Sequence, residues 1–141
     1  MARSDEKLEH LGQIWLFASL SKRDLQRIAR ACDEVEVTKG RVLCEEGAPG
    51  HEFFLIRSGE ASVRRKGKKV ATIGPGGYFG ELALLNRLPR NATVTAETDM
   101  GLLVLGQREF SGLLDEVPSL SHKLLEAMAA RLREADARIS A

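Results

Sequence analysis

The sequence is short of several things, and each shortage removes a class of function. It has two cysteines, Cys32 and Cys44, in 141 residues. Two cannot build a disulfide framework, and no CxxC spacing is present to hold zinc. They read as reduced, partly buried thiols. The three histidines, His10, His51 and His122, are far apart, so nothing local offers the convergent ligands of a metal site. No apolar run approaches the roughly 20 residues of a membrane span. The opening MARSDEKLEHLGQ is polar and mixed in charge, unlike a secretory signal. A cytoplasmic protein without a membrane span is expected. Lys and Arg number 21 against 20 Asp and Glu, a net charge of +1, so no global field favours nucleic acid or an anionic membrane.

What is present suits one globular domain. Hydrophobic residues make up 43% and charged residues 29%, and 141 residues can bury a proper core. Residues 5–31 read as mostly helical. Ser21 with Asp24 resembles a capping box, Leu25, Ile28 and Ala29 form a helical stripe, and Phe17 and Leu20 precede the cap. The period then changes. Val35 and Val37 alternate with glutamates, and RVLCEEG, HEFFLIRSG, EASVRRKG and KKVATIG follow, each closed by glycine. ATVTAET and GLLVLGQ add two more such runs. A turn every 8 to 12 residues or so is the signature of a sandwich or barrel. QREFSGLLDEV returns to helix, and Pro118 opens a longer one in which Leu120, Leu124, Met128, Leu132, Ala135 and Ile139 recur every three or four residues. The expected fold is α+β: an antiparallel β-roll, jelly-roll-like in its two layers, over 33–107. It is flanked by an N-terminal helical region (5–31) and two C-terminal helices (107–139), all in a single domain, 1–141.

The chemistry concentrates in GPGGYFGEL and the residues after it. A P-loop would end in Gly-Lys-Ser/Thr, whereas Gly80 is followed by Glu81. The dinucleotide fingerprint fails as well, because Phe79 stands where its third glycine should be. Gly74 to Gly77 read as turn glycines. Gly80 is different, since ELALL after it favours a helix whose first amides, at 81 to 83, would face an anion. Gly80 would let that anion approach without a Cβ in the way. Glu81 either stabilises the helix dipole or accepts a neutral hydroxyl, as a carboxylate does from a ribose 2′-OH. Arg90 has the planar fork for two phosphate oxygens. An internal Arg90–Glu81 ion pair, or a solvated arginine, would satisfy the same spacing. The basic RRKGKK, residues 64–69, sits at a Gly67 turn with no aromatic interleaved, which is a solvated hairpin tip.

The stretch FGELALLNRLPRNATV, residues 79–94, strongly resembles the phosphate-binding cassette of cyclic nucleotide-binding domains. Such domains occur in catabolite activator-type regulators, regulatory subunits of cyclic AMP-dependent kinases, and nucleotide-gated channels. The resemblance runs from about Phe17 to Leu132. It implies a non-catalytic sensor with no cofactor and no metal, whose ligand is cyclic AMP or, as the lesser alternative, cyclic GMP. It implies that Arg90 and the amides around Leu82 and Ala83 hold the phosphate. Gly80, Asn91 and Ala92 line that pocket, and Glu81 takes the 2′-OH. Val63 and Val70 form an apolar wall, and Arg131 on the last helix approaches the nucleotide. Asn91 can donate or accept and does not decide the base. Ala135 removes an adenine-contacting hydroxyl carried at that place by some activator-type relatives.

The last helix is expected to act as a lid, and to meet a second copy or an effector protein through Leu124, Met128 and Leu132. Activator-type regulators carry a DNA-binding helix-turn-helix after this helix. The sequence stops at Ala141 without one, as expected of either a free-standing sensor or a piece of a larger protein. Two other readings compete. A cupin-like enzyme would need clustered histidines. A degenerate domain that binds only a protein partner would have no reason to keep both Glu81 and Arg90.

Overall fold

The computed structural model describes residues 2–86 and 88–139. Arg87, in the gap of the cassette, and the side chain of Ile139 lie outside the described part. Among the described residues the order is helix, eight strands, helix. The chain divides into two compact units, residues 31–110 and residues 1–30 with 111–141.

The first unit is two four-stranded antiparallel sheets. Its strands are β1 (Asp33–Val37), β2 (Val42–Cys44), β3 (Glu52–Ser58), β4 (Ala61–Arg65), β5 (Lys68–Ile73), β6 (Tyr78–Phe79), β7 (Thr93–Ala96) and β8 (Met100–Gly106). One sheet has the order β1-β8-β3-β6 and the other β2-β7-β4-β5. Neighbours in sequence therefore often fall in different sheets, as a β-roll requires. The alternation read from the sequence fills the space between them: Phe54, Ile56, Leu102 and Val104 from one sheet meet Ala61, Val94, Ala96 and Cys44 from the other. Phe53, Leu55, Leu103 and Leu105 on the opposite faces of β3 and β8 are equally buried, which explains the unbroken apolar runs in those two strands.

The glycine punctuation does what the sequence suggested. The Gly77 amide donates to the Gly74 carbonyl at 2.9 Å, and Gly76 between them has φ +84°. With Pro75 in second place this is a type II turn. β6 is only two residues long, too short for any periodicity to announce it. RRKGKK is indeed a hairpin tip. Arg65 pairs with Lys68, and the two residues between, Lys66 and Gly67, have φ +51° and +79°, the pattern of a type I′ turn. Lysine tolerates that conformation poorly. Lys66→Asn is expected to raise stability by roughly 0.5–1 kcal/mol. An unchanged denaturation midpoint would count against a strained turn.

The second unit holds α1 (Ala2–Gln13), a short 3-10 turn (Trp15–Phe17), α2 (Lys22–Ala31) and α4 (Pro118–Ile139), with most of α3 (Gln107–Glu116). The helical region expected over 5–31 is thus two helices with a turn between. The Ser21 cap is present: the Asp24 amide donates to Ser21 Oγ at 3.2 Å. Asp24 is 7% exposed, and Lys123 Nζ on α4 donates to its Oδ2 at 2.9 Å. That hydrogen bond holds the Asp24 carboxyl below its usual 3.8, although burial pulls the other way. The consequence has a definite sign. A depressed folded value stabilises the fold above pH 3.8, and this contribution is lost as pH falls through the folded value. Lys123→Met strands a buried carboxylate and should cost roughly 1–3 kcal/mol near neutral pH. It should also flatten the fall in melting temperature below pH 3.8. Identical melting curves for the two proteins at pH 7 would contradict this.

Candidate functional site

β3 is the base on which the cassette is built. Phe79 of β6 pairs with Phe54, and their rings stack with centroids 4.9 Å apart. This pairing delivers the chain to Gly80 beside the start of β3. Gly80 has φ +80°, a left-handed conformation that favours glycine. A Cβ there would lie 2.6 Å from Arg90 Nη1 and 2.7 Å from the Glu52 carbonyl oxygen. The expectation that Gly80 leaves room for an anion therefore acquires a different physical basis. The room beside its Cα is taken by the arginine itself.

The helix expected from ELALL is a single 3-10 turn, Glu81–Leu84. Ala83 and Leu84 bury themselves beneath it while Leu82 stays 57% exposed, and the chain turns away toward Pro89 before an α-helix can propagate. The Ala83 amide donates to the Gly80 carbonyl at 3.0 Å. Of the expected phosphate donors, Ala83 is thus already engaged. The Glu81 and Leu82 residues stand at the start of the turn, next to Gly80. Glu81 is half-buried at that same end.

Arg90 is held by backbone on both sides. Its amide donates to the Ala48 carbonyl at 2.8 Å, and its carbonyl accepts from the Gly47 amide at 2.8 Å. Pro49 bridges to Pro89. The side chain crosses to β3, where Nη2 donates to the Glu52 carbonyl oxygen at 2.7 Å. That bond uses one of the five donors of a guanidinium. The charge is felt nearby: burial pushes the Cys44 thiol up, and Arg90 partly opposes it. After Arg90, Asn91 is exposed and Ala92 is 6% exposed. Thr93 Oγ1 accepts the Glu46 amide at 3.0 Å, and Val94 enters β7 opposite Val63.

Gly80, Glu81, Leu82, Ala83, Arg90, Asn91 and Ala92 thus lie on one excursion of chain between β6 and β7. The two valines differ from each other. Val63 packs on the sheet core, whereas Val70 falls in the register shift between Val63↔Ala71 and Arg64↔Lys69 and is 53% exposed. The last expected residue, Arg131, has its guanidinium carbon over the Trp15 ring, 5.4 Å from the centroid. The sequence did not disclose that loop 45–50 and the Glu52 carbonyl hold the arginine. Main-chain donors and acceptors leave no mark in residue type. Among the described residues no three His, Cys, Asp or Glu side chains converge as metal ligands. No described helix is long and apolar enough to cross a membrane.

The sequence model of the family described as cyclic nucleotide-binding domain matches residues 34–117, which takes in both sheets and the whole cassette. The chain belongs to this family. The domain is 41% identical over 114 residues to a cAMP-dependent protein kinase regulatory subunit of Yarrowia lipolytica, covering 79% of the chain and 30% of that protein. It spans less than a third of the length of such curated relatives, 22% in Eremothecium gossypii. Among solved structures, the N-terminal domain of a transcriptional regulator from Streptomyces coelicolor superposes with a TM-score of 0.84 at 32% identity, covering 92% of this chain and 94% of that one. The regulatory domain of Toxoplasma gondii PKA, solved with cAMP, gives 0.71 at 34% identity, covering 79% and 44%. These neighbours share the β-roll, and the curated relatives are named as regulatory subunits.

Proposed function

We propose that this domain is a non-catalytic cyclic nucleotide sensor that binds cyclic AMP in preference to cyclic GMP, without cofactor or metal. The observation that carries the reading is the mounting of Arg90. Its guanidinium is fixed against Gly80 and the Glu52 carbonyl, and Gly80 is the chain neighbour of the half-buried Glu81. A cation and a hydroxyl acceptor set side by side at the start of a turn match a ribose cyclic phosphate. In this reading Arg90 and the amides of the turn take the phosphate, Glu81 the 2′-OH, and Val63 and Val70 the sugar and base. The preference for cyclic AMP is supported by the relatives' names and by the Toxoplasma structure solved with cAMP.

The two units are proposed to work as one domain, in the cytoplasm. The helix α4 is the signalling element and lid, and it meets a second copy or an effector protein. Engagement of a nucleotide by Arg131 would exchange its stacking on Trp15 for the ligand. Leu124 is 4% exposed whereas Leu132 is 67% exposed, so the apolar surface open to a partner centres on Leu132 and Leu125 rather than on Leu124. A lid predicts that cyclic AMP slows amide hydrogen exchange in α4. Exchange that is the same with and without nucleotide would remove the lid from the proposal.

The binding itself is tested by thermal unfolding. A ligand at about 100 times its dissociation constant stabilises a folded protein by about 2.7 kcal/mol. Cyclic AMP should therefore raise the melting temperature while linear 5′-AMP does not. If millimolar cyclic AMP leaves the midpoint unmoved, the domain is instead a protein-interaction module of the same fold.

A further inference from the structure

Gly50 lies outside the cassette, in the loop between β2 and β3, and its reason for being glycine differs from that of its neighbours. Gly40, Gly47, Gly59, Gly67, Gly76 and Gly80 all have positive φ, a conformation that favours glycine. Gly50 does not share that conformation, so positive φ is not what calls for a glycine there. What it lacks is space. Gly50 is buried, and a Cβ on it would fall 2.6 Å from Arg90 Nε, 2.7 Å from Cζ and 2.9 Å from Cδ. Ordinary contacts between such atoms lie near 3.5–4.0 Å. The arginine therefore lies flat across the bare Cα of Gly50.

Three constraints on Arg90 then act in series. The Gly47 and Ala48 backbone bonds fix where its Cα sits. The Glu52 carbonyl holds the far end of the guanidinium. Gly50 decides which path the side chain takes between the two. An arginine is flexible enough to yield to a methyl group, so a substitution at Gly50 would redirect the guanidinium rather than unfold the sheet.

We propose that Gly50 is a positioning residue that sets the conformation of Arg90 for the phosphate, an inference that rests on the reading of Arg90 given above. The test uses the full chain and the variant Gly50→Ala. Without nucleotide, the side-chain Nε–H resonance of Arg90 should shift, while circular dichroism and the melting temperature stay close to wild type. With nucleotide, cyclic AMP affinity should fall about tenfold or more, the scale of one lost charge-assisted hydrogen bond. In an Arg90→Lys background the same change should cost less, because the two closest atoms, Nε and Cζ, belong to the guanidinium that lysine lacks. An equal loss in both backgrounds would assign Gly50 a general structural role and overturn the proposal. So would an Arg90 resonance and an affinity that do not move. A wild-type chain that ignores cyclic AMP, with a resonance that still shifts in Gly50→Ala, would overturn the nucleotide reading alone and leave the pairing of Gly50 with Arg90 standing.

Discussion

Arg90→Ala is expected to weaken cyclic AMP binding by about 10- to 150-fold, the equivalent of roughly 1.5–3 kcal/mol for hydrogen bonds to a charged group. The loss should be specific to the ligand. The Arg90 backbone bonds to Gly47 and Ala48 do not depend on the side chain, so the loop should stay paired. The bond to the Glu52 carbonyl is given up. Arg90→Lys separates charge from geometry. It retains the positive charge but not the planar fork, and should fall between wild type and alanine. Calorimetric titration of the three proteins reads this order directly. Equal affinity in wild type and Arg90→Ala would mean that the arginine serves only the fold.

Gly80→Ala should be damaging in two ways at once. Its φ of +80° costs an L-residue roughly 1–2 kcal/mol. The added Cβ would also lie 2.6 Å from Arg90 Nη1 and 2.7 Å from the Glu52 carbonyl, the two partners of the guanidinium anchor. Stability and cyclic AMP affinity should therefore drop together. Gly112→Ala in α3 is the matched control. Nothing lies within 4 Å of its would-be Cβ, and replacing a helical glycine by alanine should stabilise by roughly 0.5–1 kcal/mol. Urea unfolding of both variants gives the comparison. A Gly80→Ala protein as stable as wild type would mean that the turn can relax without cost.

Much of this architecture was legible because its signals are local. The change from a helical to an alternating pattern near Val35 marks the start of the sheets, and most strands are followed by a glycine within three residues. Tyr78–Phe79 escaped notice because two residues carry no period. ELALL predicts a short helix after Gly80. Burial of Ala83 and Leu84 together with the approach of Pro89 limits it to one 3-10 turn.

The periodicity predicts one apolar face on α4 from Leu120 to Ile139, with the partner interface at Leu124, Met128 and Leu132. Residues 131–137 are exposed on every face of the helix, so Leu132 is open to solvent while Leu124 stays buried. Leu125 and Leu132, seven apart, remain nearly aligned and are 63% and 67% exposed. In the candidate site the residue types Glu81 and Arg90 were visible because charge stands out in an apolar segment. The support of the arginine was not. It consists of backbone groups at 47, 48 and 52, which have no signature in the sequence, and of the bare Cα at Gly50, which the sequence shows only as one more turn glycine.

The most direct test of the central claim is calorimetric titration of the purified chain with cyclic AMP and, separately, with cyclic GMP. The sensor reading predicts one saturable site that binds cyclic AMP more tightly than cyclic GMP. Folded protein that gives no heat of binding with either nucleotide would contradict it.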